Sequence, residues 1–550
     1  MSDSRLAEIE EILQGPPSRF AFRLLRALID DCPDHNARDT VIRGAERVLK
    51  RWPARTRHVE ARYGGPMSAL LRSPSWPLAR SLRWTAMAGS DGEEISRAIA
   101  DLASDPHSRH LLRLMLENPD DEVLQLLPMP TCFPNLVRLS LELGCDNQRR
   151  TVIPLLISGL PASLRHLTLE NAENLDDGIS GDVPEIIDAI ASSPVGRRLR
   201  AVRLPNMSDA TLAHFLGKFR RPLSDIGHQT WTIESLGRLL HHRALASGLK
   251  RLNLQALNVG LEGVSLLARC PHLGRLEQLN LGGNSVGPEE AAVLAGSSLV
   301  SNLKALELFD NPLGDEGWKI LGRAPFRRLR VLDLGYTEAT ALGARFFARS
   351  RSLDSLRSLV LNGNPMGDEG ASEILAARFA ARLRRLDIAA TGKSAATAAA
   401  VASRPLERLR TLDLGSDRGG PEFGRQLARS SVFPSLLSLD LQGLWLGDEG
   451  VAHLAKATGF PRLQRLSLWG NDLTSRGVRS LAESPFVSSI RELSLRSNPE
   501  IDDEGALALA RSPYIENLIG LDLDHGWNRV SREGLDSLRR APNLRLLGGI

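Results

Sequence analysis

The sequence predicts an α/β solenoid, one short strand and one helix per turn, with a small helical cap at its N-terminal end. Three observations carry that expectation. The pattern L-x-x-L-x-L recurs sixteen times between Leu136 and Leu544, at an average interval of about 27 residues. A segment with turn and helix chemistry follows, clearest as NPLGDEGWKILG from Asn311, NPMGDEGASEILA from Asn364 and LGDEGVAHLA from Leu446. No single unit of that size can bury its own leucines, whereas stacked units share one continuous core.

The strand half comes first. Alternating leucines place one face of a short strand inward and leave the other exposed. The copies begin at Leu136, Leu164, Leu199, Leu223, Leu249, Leu276, Leu303, Leu329, Leu356, Leu383, Leu409, Leu436, Leu463, Ile490, Leu518 and Leu544. From Leu249 every interval is 26 to 28 residues, while one of 35 precedes Leu199 and one of 24 follows it. The copy at Leu223 is degenerate, with Ile226 and then His228 where an apolar residue belongs. In the helix half, the Gly gives a tight turn. The Asp reads as an N-cap, with Glu in the first turn, where carboxylates suit the helix dipole. Apolar residues such as Ile374 and Leu375 then return at helical spacing.

The extended motif L-x-x-L-x-L-x-x-N-x-L-G-D-E-G resembles the leucine-rich repeat family, in particular its ribonuclease-inhibitor-like subclass. The resemblance implies a right-handed horseshoe, with a parallel sheet on the concave side and helices on the convex side. The consensus Asn stands at Asn284, Asn311, Asn364, Asn471 and Asn498 and is replaced by Thr337, Thr391, Asp417 and Leu444. Local bends or a looser backbone ladder are expected at the replacements.

Two weaker copies lie upstream, Leu111-Leu114-Leu116 and Ala79-Leu82-Trp84, the latter ahead of GSDGEEISRAIADLA. The solenoid is therefore placed at 76–550, irregular over 76–248 and regular over 249–550. Residues 1–75 read as the helical cap, with helical spacing in RFAFRLLRALI and TVIRGAERVLKRW, broken by GPP and CPDHN. After Leu544 to Leu547 only Gly548, Gly549 and Ile550 follow, which leaves no room for a C-terminal capping domain. The stretch Leu204 to Leu240 is expected to be the weakest part of the stack, since GHQTWT lacks turn-and-cap chemistry.

Composition bounds the function. Apolar residues are 42% and charged residues 24%, an ordinary globular balance that excludes a largely disordered chain. Lys+Arg 69 against Asp+Glu 65 leaves +4, close to neutral over 550 residues, which neither supports nor excludes a nucleic-acid partner. Cys32, Cys132, Cys145 and Cys270 are too few and too scattered for a disulfide framework or a paired-cysteine zinc site. MSDSRLAEIEEIL has acid where a signal peptide needs base, and no run approaches 18 apolar residues. A cytoplasmic protein without a membrane span is expected.

Chemical motifs are weak. DIAATGKS, Asp387 to Ser394, has the G-K-S of a phosphate-binding loop after a strand. The pattern needs Gly at 387, and Thr391 falls in the consensus-Asn slot, so an eroded repeat turn is the better reading. CPDH from Cys32 invites comparison with the cysteine–acid motif of leucine-rich-repeat ubiquitin ligases, but those carry a large separate catalytic domain. His107 and His110 stand at i, i+3 with no third ligand nearby, so a metal site is not expected. HExxH, GxSxG, CxxC and GxGxxG are absent. The expectation is a non-enzymatic chain without cofactor or metal.

The informative positions lie on the exposed side of the strands. Between the second and third leucines stand Glu307, Asp333, Val360, Asp387, Asp413 and Asp440, five acids in six consecutive repeats. Phe309 and Trp469 come two residues after this slot and Tyr336 three. At the second motif position runs a basic row: Lys250, Lys304, Arg330, Arg357, Arg384, Arg410 and Arg491. One reading is that L-D-L was copied by duplication and the arginines balance it. The other is a partner-binding stripe, because like charges on adjacent strands are destabilising unless neutralised. The function expected is a scaffold that recognises a partner protein with a basic surface on its concave sheet. The alternatives are regulation of a small GTPase, as in the GTPase-activating proteins built on such repeats, and nucleic-acid binding through the Arg-rich rim.

Overall fold

The structure, a computed structural model, describes residues 9–541 apart from 11, 15–18, 31–34, 62–66, 86–91, 118–123, 125–128, 144–146, 172–182, 205–208, 228–231, 405, 431–432 and 524–527. The CPDH cysteine, Cys145, His228, His525 and the strand expected at Leu544 lie outside the described residues. The chain divides into two compact units, Met1–Leu252 and Asn253–Ile550. The division falls within a few residues of Leu249, where the repeat spacing becomes regular.

The first unit opens with helices Arg19–Asp30 and His35–Leu49. Helical spacing gathers Phe22, Leu25 and Ile29 on one buried face. At the end of the first helix, the Asp30 carboxylate accepts the Ser75 N–H at 2.8 Å and the Ser73 and Ser75 hydroxyls at 2.8 and 2.9 Å. Buried Arg57 donates to the Leu78 and Leu49 carbonyls at 2.8 and 3.2 Å. These bonds seat the helices on the first strands. β1 is His58–Ala61 and pairs in parallel with β2, Ser81–Thr85. The sheet therefore begins inside the segment read as the cap. HVEA carries only Val59 as a large apolar residue, too little for a leucine pattern to register.

Strands β3 (Arg113–Glu117), β4 (Arg138–Leu143), β5 (His166–Asn171), β6 (Ala201–Arg203) and β7 (Asp225–Gly227) continue the parallel order, and β8 (Arg251–Asn253) pairs with β7 through Asp225 and Arg251 alone. Among its described residues the second unit carries ten three-residue parallel strands in sequence order. They are β9 (Gln278–Asn280), β10 (Ala305–Glu307), β11 (Val331–Asp333), β12 (Ser358–Val360), β13 (Arg385–Asp387), β14 (Thr411–Asp413), β15 (Ser438–Asp440), β16 (Arg465–Ser467), β17 (Glu492–Ser494) and β18 (Gly520–Asp522). A helix follows each strand, so both units show the strand–helix alternation of a leucine-rich-repeat solenoid. In each three-residue strand the middle residue, such as Leu332 or Leu386, is buried, and its neighbours point to the open face of the sheet. Among the described residues no helix is long and apolar enough to cross a membrane.

Two details of the turns differ from expectation. The Asp of G-D-E-G does not cap its own helix. It lies inside the first turn and reaches the next helix instead. The Asp315 carboxylate accepts the Thr340 N–H at 2.8 Å, the Thr340 hydroxyl at 2.8 Å and the Gly343 N–H at 2.9 Å. Asp368 does the same for Ser394 and Thr397, and Asp448 for Thr474 and Gly477. Orphan N–H groups of one helix are thereby satisfied by its neighbour.

At the replaced asparagines inter-turn bonding to the backbone and the strand register persist. Asn284 accepts the Leu257 and Val259 N–H groups at 3.0 and 3.1 Å and donates to the Leu254 carbonyl at 2.6 Å. Asn311 repeats this bonding on the turn before it. The Thr337, Thr391 and Leu444 carbonyls accept from Gly314, Gly367 and Gly420 at 2.8 to 2.9 Å, the bond that the Asn471 carbonyl also accepts from Gly447 at 3.0 Å. Those glycines have φ of 55, 58 and 65°, the left-handed region that favours a residue without a Cβ. At Asp417 the carboxylate accepts the Thr391 and Gly392 N–H groups at 3.1 and 2.7 Å. Register continues through β11 to β15 without a break.

Candidate functional site

The acid row is assembled by register. Glu307 pairs with Asp333, Asp333 with Val360, Val360 with Asp387, Asp387 with Asp413 and Asp413 with Asp440. Neighbouring members sit on strands about 4.8 Å apart and point to the same face. Part of their role is local. One oxygen of each of Asp333, Asp387, Asp413 and Asp440 accepts the N–H two residues on, at 3.0 to 3.2 Å. Asn280 accepts the same bond from the Gly282 N–H at 2.9 Å, and Val360 fills the slot with no oxygen at all, so the turn does not require a charge there.

The charge has a cost. Burial first, and then Asp387 and Asp440, push the Asp413 carboxyl up to about 7. Burial, with Asp333 beside it, raises Glu307, and burial raises Asp333 and Asp440. Arg385 reaches Asp387 at 3.3 Å. The arginines of the second motif position do not balance the row. Arg330, Arg357, Arg384 and Arg410 stack on one another, each N–H bonded at 2.7 to 2.8 Å to the carbonyl of the previous turn's equivalent. Burial and then Arg384, Arg382, Arg408 and Arg330 lower Arg357, and burial and then Arg384 and Arg462 lower Arg410. This is a separate one-signed row, not the counterions of the acids.

Aromatic side chains flank the acids. Phe309 lies over Gly282, where an added Cβ would meet the ring at 2.5 Å. Tyr336 is 56% exposed and packs one ring edge over Gly363, and Trp469 is 44% exposed. Trp445, 54% exposed with Arg418 over its ring at 5.6 Å, joins them. The fixed slots of the sequence pattern missed it. The available signal was the apolar pair Leu444-Trp445 in a loop that is polar in most other turns. Tyr336 and Trp445 have φ of 52 and 59°. At the position of Tyr336 four sibling turns use Gly283, Gly363, Gly443 and Gly470. A bulky side chain in that conformation stores strain.

The remaining candidates resolve as structure. Lys393, from the G-K-S, is buried, ion-paired with Asp417 and bonded to the Gly415 carbonyl at 3.2 Å. It neutralises the carboxylate that stands in for the ladder asparagine and does not face an open loop. His107 and His110 have ring centroids 5.8 Å apart, and burial and then Arg80 lower His110. Among the described residues no group of three or more metal-capable side chains occurs.

A family model described as a leucine-rich repeat matches residues 301–319, 354–375 and 488–510. Among solved structures, the yeast Rad7 and Elc1 complex includes a chain 18% identical, covering 67% of this chain and 87% of its own, at a TM-score of 0.41. An internalin from Listeria monocytogenes is 15% identical, covering 68% and 94%, at a TM-score of 0.33. No curated protein matches this chain.

Proposed function

We propose that this leucine-rich repeat chain is a non-enzymatic scaffold that binds a protein partner carrying a basic segment on the open sheet face of its second unit. The observation that carries the reading is the in-register acid row. Five carboxylates occupy six successive slots where a neutral oxygen serves the turn equally well, and among the described residues one ion pair, Arg385 to Asp387, reaches them. Bringing a cation to this row offsets the burial, and the repulsion added to it, that raise Asp413, Glu307, Asp333 and Asp440. In such an interface charge sets on-rate and register, and buried aromatics supply affinity. Phe309, Tyr336, Trp445 and Trp469 are the anchors, and Glu307, Asp333, Asp387, Asp413 and Asp440 the selective row.

The test places a photo-crosslinking residue at Tyr336 or, as control, at exposed Lys456 on the helix side. A lysine-rich peptide should label from Tyr336 and not from Lys456, and a glutamate-rich peptide from neither. Labelling from Lys456 alone would refute the site. The stacked row Arg330, Arg357, Arg384 and Arg410 favours one second reading, nucleic-acid binding along that rim. Duplex binding with a steep salt dependence, lost in Arg357→Ala, would support it over the first.

A further inference from the structure

The first unit carries a different cluster on its sheet face. Arg113, Arg138, His166, Ala201, Asp225 and Arg251 occupy one register row across β3 to β8. Asp225 is buried, and its Oδ2 receives both Arg203 at 3.3 Å and Arg251 at 3.0 Å. Arg138 has no carboxylate partner among the described residues. Burial lowers it first, then Arg251, against the opposing pull of Asp225, and Arg203 lowers it further. His166 lies beside it in the row, and its Nδ1 is buried with no hydrogen-bond partner among the described residues. Burial, then Arg138 and Arg251, hold His166 down at about 4, so its ring is neutral.

Ala201 is the one residue between His166 and Asp225 in the row; it offers only a Cβ and is buried beneath its neighbours. Two strand spacings, about 9–10 Å, therefore separate the flanking side-chain positions. Among the described residues, the Arg138, Arg203 and Arg251 guanidiniums face one carboxylate, Asp225, a surplus of two positive charges around Ala201. The nearest parallel acid row, Glu117, Glu142 and Glu170, stands four residues further along the strands, about 13 Å away.

We propose that this cluster is an oxyanion site for a phosphate monoester, held by the Arg138, Arg203 and Arg251 guanidiniums with His166 at its side. A phosphate monoester carries about −1.5 to −2 at neutral pH, which matches the surplus of two, whereas a carboxylate would leave one charge over. Planar guanidinium forks bind such oxygens in pairs. The unpartnered Nδ1 of His166 supplies either a donor or, once protonated by the incoming charge, a further cation. The site belongs to the first unit and does not depend on the acid row of the second.

Calorimetric titration of the full chain tests it with two probes, inorganic phosphate and a short phosphoserine peptide. Saturable binding of either supports the site. Tighter binding of the peptide identifies a phosphorylated protein as the source, and equal or tighter binding of phosphate identifies a free small molecule. Arg138→Ala should weaken binding about tenfold or more, the loss expected for one charge-assisted contact. Asp225→Asn should strengthen binding by removing the competing carboxylate. Arg203→Met, at a half-exposed side chain, serves if Arg138→Ala does not fold. Arg345→Ala, on a helix of the second unit, should change nothing. Absence of saturable binding by the folded chain would overturn the proposal, as would an equal loss in Arg345→Ala and Arg138→Ala.

Discussion

The two units build the same strand–helix turn and carry different charged rows beside the buried leucines: a basic row in the first, with Glu117, Glu142 and Glu170 further along its strands, and an acid row in the second. In the first, Arg113, Arg138 and Arg251 share a row with His166, and Arg203 adds a further guanidinium. In the second, Glu307, Asp333, Asp387, Asp413 and Asp440 form the row. The inward side chains are nearly interchangeable: Leu139 and Leu167 in one unit, Leu386 and Leu412 in the other, all buried. Period-2 geometry separates the two jobs. Inward positions determine the stack, and outward positions are free to specify a ligand. A difference confined to the outward set is therefore informative about binding rather than folding.

The largest expected effect sharpens the second unit's side of this comparison. Lys393→Met leaves Asp417 buried without its cation and should cost about 3–5 kcal/mol in chemical denaturation. The pair Lys393→Met with Asp417→Asn restores the consensus ladder residue and should recover most of that loss. If the single variant is neutral, the lysine is not what holds that turn.

Local stability should differ between the units. β7 and β8 are joined by one residue pair, whereas the strands of the second unit are joined by three. Each missing hydrogen bond is worth about 0.5–1.5 kcal/mol, so amides between Leu204 and Leu240 should exchange before those of the turns after Leu249. Uniform protection would break the contrast. Smaller again is the inter-turn cap: Asp448→Ala should cost about 1 kcal/mol and speed exchange at Thr474 and Gly477.

The smallest effect has a sign that depends on pH. Asp413 titrates near 7 in the folded chain and at its ordinary 3.8 when unfolded. Between these values the folded state holds a proton that the unfolded state has lost, so this contribution to stability falls as pH rises from about 4 to 7 and then levels. Asp413→Asn should stabilise by up to about 1 kcal/mol at pH 8 and by nothing near pH 4. A constant difference across that range would mean Asp413 is not repelled by its neighbours.

Much of the fold was legible because a repeated leucine spacing is a property of sequence alone. The degenerate copy at Leu223 still forms β7, since Leu223 and Ile226 suffice to bury one side of it. The inter-turn caps were not legible in that way. Asp315 and Thr340 belong to different turns, and only their juxtaposition shows that the cap serves the neighbour. The sequence marks Lys393 as part of an eroded repeat turn, but its partner Asp417, 24 residues on, is visible only in the fold. Asn528 continues the ladder by accepting the Asn498 N–H at 3.0 Å, 30 residues away, outside the regular interval that located the others. The basic row of the first unit escaped notice because irregular spacing over Leu164, Leu199 and Leu223 hides which residues stand side by side.

The central claim is that the acid row of the second unit is a recognition surface and not a by-product of repeat duplication. The most direct measurement compares the intact chain with Asp387→Asn/Asp413→Asn, reading the affinity for a lysine-rich peptide or the captured partner together with the thermal midpoint. Both asparagines keep the oxygen that accepts from Ala389 and Gly415. Binding should weaken about tenfold, as expected when a charge-assisted contact is lost, with the midpoint unchanged or higher. Unchanged affinity with a lower midpoint would show that the carboxylates serve the fold, and the recognition surface would have to lie elsewhere.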